Sequence, residues 1–473
     1  MSSTSANTPV IEERRSAATL PIFFAILALG IALRFAVLFI FSNSSRMSGD
    51  TPYYAKMALN VLEGHGFSIS QSPPYEPFFG RVPSYPLFMA AVWFFTGGEN
   101  YAALSVVQLI LDIGTICLIF LFAQQRFGRT VALWASALYA LLPFGAGTAA
   151  QYMSEGLSMF LVILALLGHA RIVHMQARGR TLGIAVATGV VWGVIVLARP
   201  YMAPVAACAG AAIAYELWRS GSVSVKRASA ALALVGIGCL APVSAWALRN
   251  AHAAAATAKP FVIFQVWGSA PPHSNLHSPE YRAWRSSYDE PFYWVDWDTP
   301  PKANYLTKAE SDEVKDLWAY IGTHDGETTP EIRAAFARIT AERYSMAPLR
   351  LYIWRPISMA LKNWLSPRAS TLRLSVIDSY EIRKVPNLLR YVFFGLNGLT
   401  VMFALIGLVT QSRKHGSIVL WYPLISVTVV LVAVGARETR YNMVVFPVLC
   451  IAAALGIRTC ALWRSKLKLK WHN

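Results

Sequence analysis

TLPIFFAILALGIALRFAVLFIF at residues 19–41, followed after a short link by RMSGDTPYY at residues 46–54, is the stretch that decides the fold. An α-helix rises 1.5 Å per residue, so about 20 apolar residues cover the roughly 30 Å hydrocarbon layer of a bilayer. The first run therefore reads as a membrane span, and Asp50 emerges where the hydrocarbon ends. A carboxylate at a bilayer surface, in a chain poor in acids, is a candidate base for chemistry on a lipid-borne substrate. Its alternative role is local. Asp50 directly precedes Thr51-Pro52, and an Asp before a first-turn proline is a favoured helix N-cap.

With 55% hydrophobic and 14% charged residues, the chain lies outside the range of a soluble domain and reads as an all-α polytopic membrane protein. Cys117, Cys208, Cys239, Cys450 and Cys460 lie in apolar runs without paired spacing, so they read as small core residues and suggest neither disulfides nor a zinc site. The net charge of +17 does not imply nucleic acid, because of where the charge sits. The polar stretch 249–381 is nearly neutral, and the surplus falls in short loops at Arg14-Arg15, Arg126/Arg129, Arg171/Arg178/Arg180, Arg219/Lys226/Arg227, Arg413-Lys414 and Arg464 to Lys470. That is the positive-inside pattern of membrane topology.

Candidate spans are 19–41, 102–123, 129–149, 154–172, 181–198, 201–218, 228–248, 389–411, 416–435 and 441–463, about ten helices with both termini cytoplasmic. The apolar run 84–96 is short for a crossing, and counting it as one would put most basic loops outside; it reads as a helix lying in the outer interface. The chain thus divides into a membrane core (1–248) with a long first outer loop (42–101), an external polar segment (249–388), and C-terminal spans with a basic tail (389–473). In the first outer loop Tyr54, Met57, Ala58 and Val61 recur at helical spacing until Gly64-His65-Gly66 ends the pattern. In the external segment Thr329-Pro330-Glu331 opens a helical run toward Trp364, while Asp296-Trp-Asp298 and Pro300-Pro301 read as irregular. The first span lacks a small-residue cleavage site and reads as an uncleaved anchor.

On this topology several polar residues meet on the outer face. Glu155, between the third and fourth spans, shares base and acceptor-binding roles with Asp50 in one reading and is a first-turn acid favoured by the helix dipole in the other. Arg81, Arg437 and Arg440 are positive on the outer side, against the topology rule, so a lipid phosphate is their candidate partner. The alternatives are ion pairs with Glu76, Glu155 or Glu438, or snorkelling to headgroups. Arg34 and Asp112 lie inside spans at similar depth and read as a mutual ion pair. Gly189 and Gly193 form a small-residue helix contact face, with Arg199-Pro200 closing that span. His65 and His169 read as isolated, and no cluster has metal spacing, although a divalent cation held by Asp50 and Glu155 stays an alternative.

Asp50 with Tyr54-Ala55, then Leu62-Glu-Gly-His-Gly-Phe67, then Arg81-Val-Pro-Ser-Tyr-Pro-Leu87 resembles the first outer loop of the GT-C membrane glycosyltransferases, in the branch of aminoarabinose transferase and the protein O-mannosyltransferases. Arg126-Phe-Gly-Arg129, the Glu155 loop, Gly189 to Pro200, Trp246-Ala-Leu-Arg-Asn250 and Arg440-Tyr441 follow in that family's order. The resemblance covers about residues 19–250, with a weaker echo at 389–463. It implies transfer of a sugar from a polyprenyl-phosphate donor to a lipid, glycan or protein acceptor on the outer (periplasmic) face of the inner membrane. It carries the essential first-loop acid to Asp50 and the second-loop acid to Glu155, and implies donor-phosphate binding by Arg81 and substrate contacts by Tyr54 and Tyr85. Where the aminoarabinose branch has a Glu-Lys pair this chain has Gly80-Arg81, so the acceptor does not carry over. Two other classes compete. A transporter or lipid-carrier flippase would be expected to show an internal repeat with paired interrupted helices, which the sequence lacks. A membrane scaffold would not gather acids and arginines on one face.

Overall fold

The computed structural model describes residues 19–40, 49–175, 182–219, 224–257, 278–288, 305–323, 329–366, 387–411, 417–436 and 440–471, together with 261, 263 and 368. Among these the regular structure is helical, and an isolated Ser68–Pro77 bridge lies in the link between the first two loop helices. It opens with α1 (Thr19–Ile40). The first outer loop supplies α2 (Thr51–Leu62) and α3 (Ser84–Thr96). Then come α4 (Tyr101–Phe127), α5 (Arg129–Leu141), α6 (Pro143–Ala149), α7 (Ser154–Met175), α8 (Leu182–Val196), α9 (Ala203–Arg219) and α10 (Val225–Thr257). The polar segment 249–388 contributes α11 (Pro279–Ser286), α12 (Lys308–Gly322), α13 (Pro330–Met346) and α14 (Arg355–Leu365). The chain returns through α15 (Asn387–Gln411), α16 (Ile418–Ala433), the single turn α17 (Arg440–Met443) and α18 (Phe446–Trp471).

Helices fall on all the expected spans, but length and apolar composition alone qualify only six among the described residues, or seven if α5 and α6, bent by 58°, count as one. The expected count of ten is therefore not reached on that criterion. The apolar helices α8 and α16 are shorter than a full crossing. The membrane helices are apolar on both sides: Phe24, Leu29 and Phe35 of α1 point outward, while Phe23 and Val37 join the core. That is the distribution expected where the surrounding solvent is lipid.

Two local features set the bundle's geometry. A Cβ at Gly189 or Gly193 would overlap the α10 backbone at Val235 and Cys239, and one at Gly238 would overlap α8 in return. The expected small-residue face is thus a backbone-to-backbone seam between α8 and α10. The bend between α5 and α6 follows from Pro143, which has no N–H for the Tyr139 carbonyl. Arg34 supplies donors there: its Nη1 bonds the Ala140 carbonyl at 2.5 Å and its Nη2 the Tyr139 carbonyl at 3.4 Å, while Nε pairs with Asp112. The ion pair expected between Arg34 and Asp112 is present and also braces a broken helix.

The first outer loop packs onto the bundle through its own apolar cluster, with Tyr54, Met57, Tyr85, Met89, Trp93, Leu104 and Trp246 all buried. Gly64 and Gly66, at φ 80° and 76°, end α2 where the sequence predicts a stop. In the polar segment Tyr281, Trp284, Trp318, Ile332 and Phe336 form a separate cluster, and the Thr329 hydroxyl caps α13 by accepting from the Ile332 N–H. The Asp296 to Pro301 stretch lies outside the described residues.

Two expectations need correction. Cys208 is exposed on α9, because it sits on the outward side of that helix, while Cys450 alone is fully buried and the other three are half-buried. His169 is not isolated: packing of α7 against α9 brings its Nε2 to 3.6 Å from Glu216, which also binds Arg126 through both oxygens at 2.8 and 2.7 Å. His65 likewise stacks on Tyr75 at 3.7 Å, with Glu63 3.3 Å away.

Candidate active site

Gly49 adopts the left-handed conformation (φ 70°) and turns the chain into α2. Asp50 then stands at the N-cap position, with a proline in the first turn behind it, yet its side chain makes no capping bond. The carboxylate goes elsewhere. Arg81 Nη2 donates to Oδ1 at 2.7 Å, and Arg440 Nη1 lies 3.9 Å from Oδ2. Arg81 also lies over the Tyr53 ring and donates to its neighbouring Gly80 carbonyl at 2.6 Å. Among the described residues Arg81 pairs with Asp50, and Glu155 with Arg199; Glu438 lies outside them.

The neighbouring residue ties this loop to the next. The Thr51 hydroxyl donates to the Tyr152 carbonyl at 2.9 Å, which seats α2 on the segment leading into α7. Glu155 lies in the first turn of α7, as a dipole-favoured acid would, but its charge is met by the buried guanidinium of Arg199. Arg199 is held from both flanks. Ser84, at the start of α3, donates its backbone N–H to Leu197 at 3.1 Å and its hydroxyl to Val194 at 2.9 Å. On the far side the Tyr201 hydroxyl donates to the Tyr441 carbonyl at 2.7 Å, next to Arg440. The ends of α2, α3, α7, α8 and α17 therefore converge, carrying two carboxylates and three guanidiniums.

Burial sorts these groups. The side chains of Asp50, Arg81 and Arg440 are 20%, 21% and 24% exposed, whereas Glu155 and Arg199 are 3% and 7% exposed. Burial by itself would raise the Asp50 carboxyl, but the guanidiniums of Arg81, Arg440 and Arg199 outweigh it and hold the group below its ordinary value. For Arg199 burial works against the charge, and the carboxylate of Glu155 more than reverses it. The Tyr54 phenol is pushed up to about 12, first by burial and then by the nearby Asp50 carboxylate, so it stays neutral.

Tyr54 and Tyr85 sit beneath this cluster. Their rings meet edge to face at 5.1 Å, and the Tyr85 hydroxyl donates to Gln108 at 2.7 Å inside the core. Both are at most 4% exposed, so their visible work is to seat α2 on α3. Arg437 lies outside the described residues. Arg199 is the site residue not singled out from the sequence, although its position offered a signal: an arginine directly after an apolar run, before Pro200. A divalent ion between Asp50 and Glu155 does not suit the donor set, since each carboxylate already gives its charge to a guanidinium. Among the described residues no three His, Cys, Asp or Glu side chains gather for a metal.

Residues 81–246 match the family model described as dolichyl-phosphate-mannose-protein mannosyltransferase. No curated protein matches the sequence. Among solved structures, the archaeal oligosaccharyltransferase AglB from Archaeoglobus fulgidus, in complex with an inhibitory peptide and a dolichol-phosphate, is similar at 14% identity with a TM-score of 0.52 over 96% of this chain and 52% of its own. The A. fulgidus oligosaccharyltransferase tethered to an acceptor peptide gives 14% identity and a TM-score of 0.52, over 93% and 49%. ArnT from Cupriavidus metallidurans bound to undecaprenyl phosphate matches at 13% identity over 91% and 77%, with a TM-score of 0.37. The chain spans about half the length of the oligosaccharyltransferases it matches. Neither the family match nor the fold match supports the carrier alternative. Residues 81–246 are therefore similar to a mannosyltransferase family domain, and the multi-pass helical membrane fold around them is similar to that of the archaeal oligosaccharyltransferase.

Proposed function

We propose that this protein is a membrane glycosyltransferase that moves a sugar from a polyprenyl-phosphate donor to a lipid, glycan or protein acceptor. The observation that carries the reading is the meeting of one solvent-reachable carboxylate, Asp50, with two arginines, Arg81 and Arg440, at the end of the bundle where the outer-loop helices begin. Asp50 takes the proton of the acceptor hydroxyl as that oxygen attacks the anomeric carbon. Arg81 and Arg440, with Arg437 assigned alongside them, hold the phosphate and stabilise the charge that grows on it as the sugar leaves. Glu155 and Arg199 form a fixed floor that keeps the second outer loop in register and supports acceptor binding. Tyr54 and Tyr85 shape the pocket from below. Displacement with inversion is the simplest course for a single base.

The basic-loop pattern supports an inner-membrane setting with both termini cytoplasmic and the site facing the periplasm. In the same reading residues 1–248 are the catalytic core, 249–388 an external segment and 389–473 the closing spans. The test is mass analysis of envelope glycans and glycolipids from cells lacking the protein and from cells carrying Asp50→Asn. One saccharide should disappear in both, and the purified variant should lose on the order of 10²-fold or more in transfer rate while still binding donor. An unchanged envelope in the deletion strain would rule the reading out.

A further inference from the structure

The arginines assigned to the donor phosphate are the same ones that hold Asp50. Arg81 donates to one carboxylate oxygen at 2.7 Å and Arg440 faces the other at 3.9 Å. The deeper Glu155–Arg199 pair is sealed and self-neutralising, so it offers no spare charge. On the exposed side of the cluster two guanidiniums, Arg81 and Arg440, face the one Asp50 carboxylate.

We propose that in the donor-free protein the Asp50 carboxylate occupies the phosphate's place on Arg81 and Arg440, and that arrival of a phosphate displaces it, so that donor binding releases the base. This rests on the donor reading above and adds an order of events to it. Guanidinium forks bind carboxylates and phosphates through the same parallel hydrogen bonds, so the two anions compete for one set of donors. A carboxylate held by two arginines accepts a proton poorly; one that has lost those partners and gained an anionic neighbour accepts it readily. The direction of the Asp50 shift agrees, since Arg81, Arg440 and Arg199 act to lower it while only burial opposes them. Tyr54 and Glu155 also lie in the same field, the first neutral and the second committed to Arg199.

The step then balances. The acceptor O–H gives its proton to Asp50, the acceptor oxygen bonds the anomeric carbon, and the bond from that carbon to the phosphate oxygen breaks with its electron pair leaving on phosphate. The released polyprenyl phosphate is a monoester whose second pKa is about 6, so it can take the proton from Asp50. Without a donor the base stays on its arginines, and an acceptor hydroxyl is not activated.

Competition makes an unusual demand on a residue assigned to the chemistry: removing its charge should strengthen ligand binding. The experiment measures decaprenyl phosphate binding to the full chain in lipid nanodiscs by calorimetry. Asp50→Asn should bind about tenfold tighter than wild type, Arg81→Ala about tenfold weaker, and most of the gain from Asp50→Asn should vanish in an Arg81→Ala background. If Asp50→Asn does not yield folded protein, Asp50→Ser reads the same competition. Arg81→Ala weaker but Asp50→Asn unchanged or weaker would overturn the displacement and leave the donor reading standing. Binding indifferent to Arg81→Ala, or absent from wild type, would overturn the donor reading and the displacement with it.

Discussion

Two carboxylate–guanidinium pairs in this molecule use the same chemistry to different ends. Arg34–Asp112 lies inside the bundle, 1% and 2% exposed, with both Asp112 oxygens engaged by Arg34 and the Tyr139 hydroxyl and the remaining Arg34 donors spent on carbonyls at the α5 break. Asp50–Arg81 lies where α2 begins, about a fifth exposed, with a second arginine close by. The first pair is saturated, so nothing else can bind without breaking it. The second sets two guanidiniums against one carboxylate and is open to solvent. Satisfaction and access, rather than the presence of an ion pair, separate a brace from a candidate site.

The largest expected effect comes from breaking the saturated pair. Asp112→Ala leaves a buried guanidinium without its anion, which typically costs about 3–5 kcal/mol. We expect little folded protein by size-exclusion chromatography in mild detergent, where Asp50→Asn elutes normally. The double substitution Arg34→Leu with Asp112→Leu removes both charges and should recover much of the folded yield, limited by the carbonyls left at the α5 break. A well-folded Asp112→Ala protein would show that the pair braces nothing.

Glu155–Arg199 lies between the two extremes, as buried as the brace but adjoining the exposed cluster. Glu155→Gln keeps the shape and leaves the Arg199 charge uncompensated beside Asp50, which deepens the hold on that carboxylate. Transfer should fall about tenfold, less than for Asp50→Asn, with a modest drop in melting temperature. Replacing Arg199 by Gln in the same chain relieves the excess charge and should restore part of the rate. A Glu155→Gln loss as large as that of Asp50→Asn would instead make Glu155 a second participant in the chemistry.

Hydropathy is a local sum, so the apolar helices, the short α3 among them, are legible in the sequence, as is the glycine seam of α8. Depth along a helix is nearly as local, and it sufficed to pair Arg34 with Asp112. The gathering of Asp50, Glu155, Arg81 and Arg440 at one end followed from topology alone. Which acid meets which arginine did not follow, because Asp50 touches partners from α17 and from the link before α3, positions fixed only by packing. Arg199 escaped notice because Arg199-Pro200 reads as a helix stop, and His169 because Glu216 reaches it from another helix. Length and hydropathy alone qualify six of the ten expected spans, or seven with α5 and α6 as one, because α8, α9 and α16 are short helices of 15, 17 and 16 residues.

The smallest expected effect tests the exposed pair through its proton. The Asp50 carboxyl is held below its ordinary value in the folded protein, so its contribution to stability is complete above the unfolded value and is lost as pH falls through the lower folded value. With an unfolded aspartate near pKa 3.9, the window lies below about pH 4 to 5. Other carboxylates titrate there too, so the quantity to follow is the difference in melting temperature between wild type and Asp50→Asn in nanodiscs. It should be constant from neutral pH down to about pH 5 and then shrink as the wild type alone gives up the Asp50 charge. The change should be small, because a pair that is partly open to water contributes little. Adding decaprenyl phosphate should shift the difference in favour of Asp50→Asn at neutral pH, since a carboxylate displaced from Arg81 and Arg440 no longer gains from them, and that shift should fade as falling pH protonates the displaced carboxyl. A difference that stays flat to pH 3 in both conditions would mean that Asp50 draws no net stabilisation from its arginines, and the contrast with Arg34–Asp112 would then rest on burial alone.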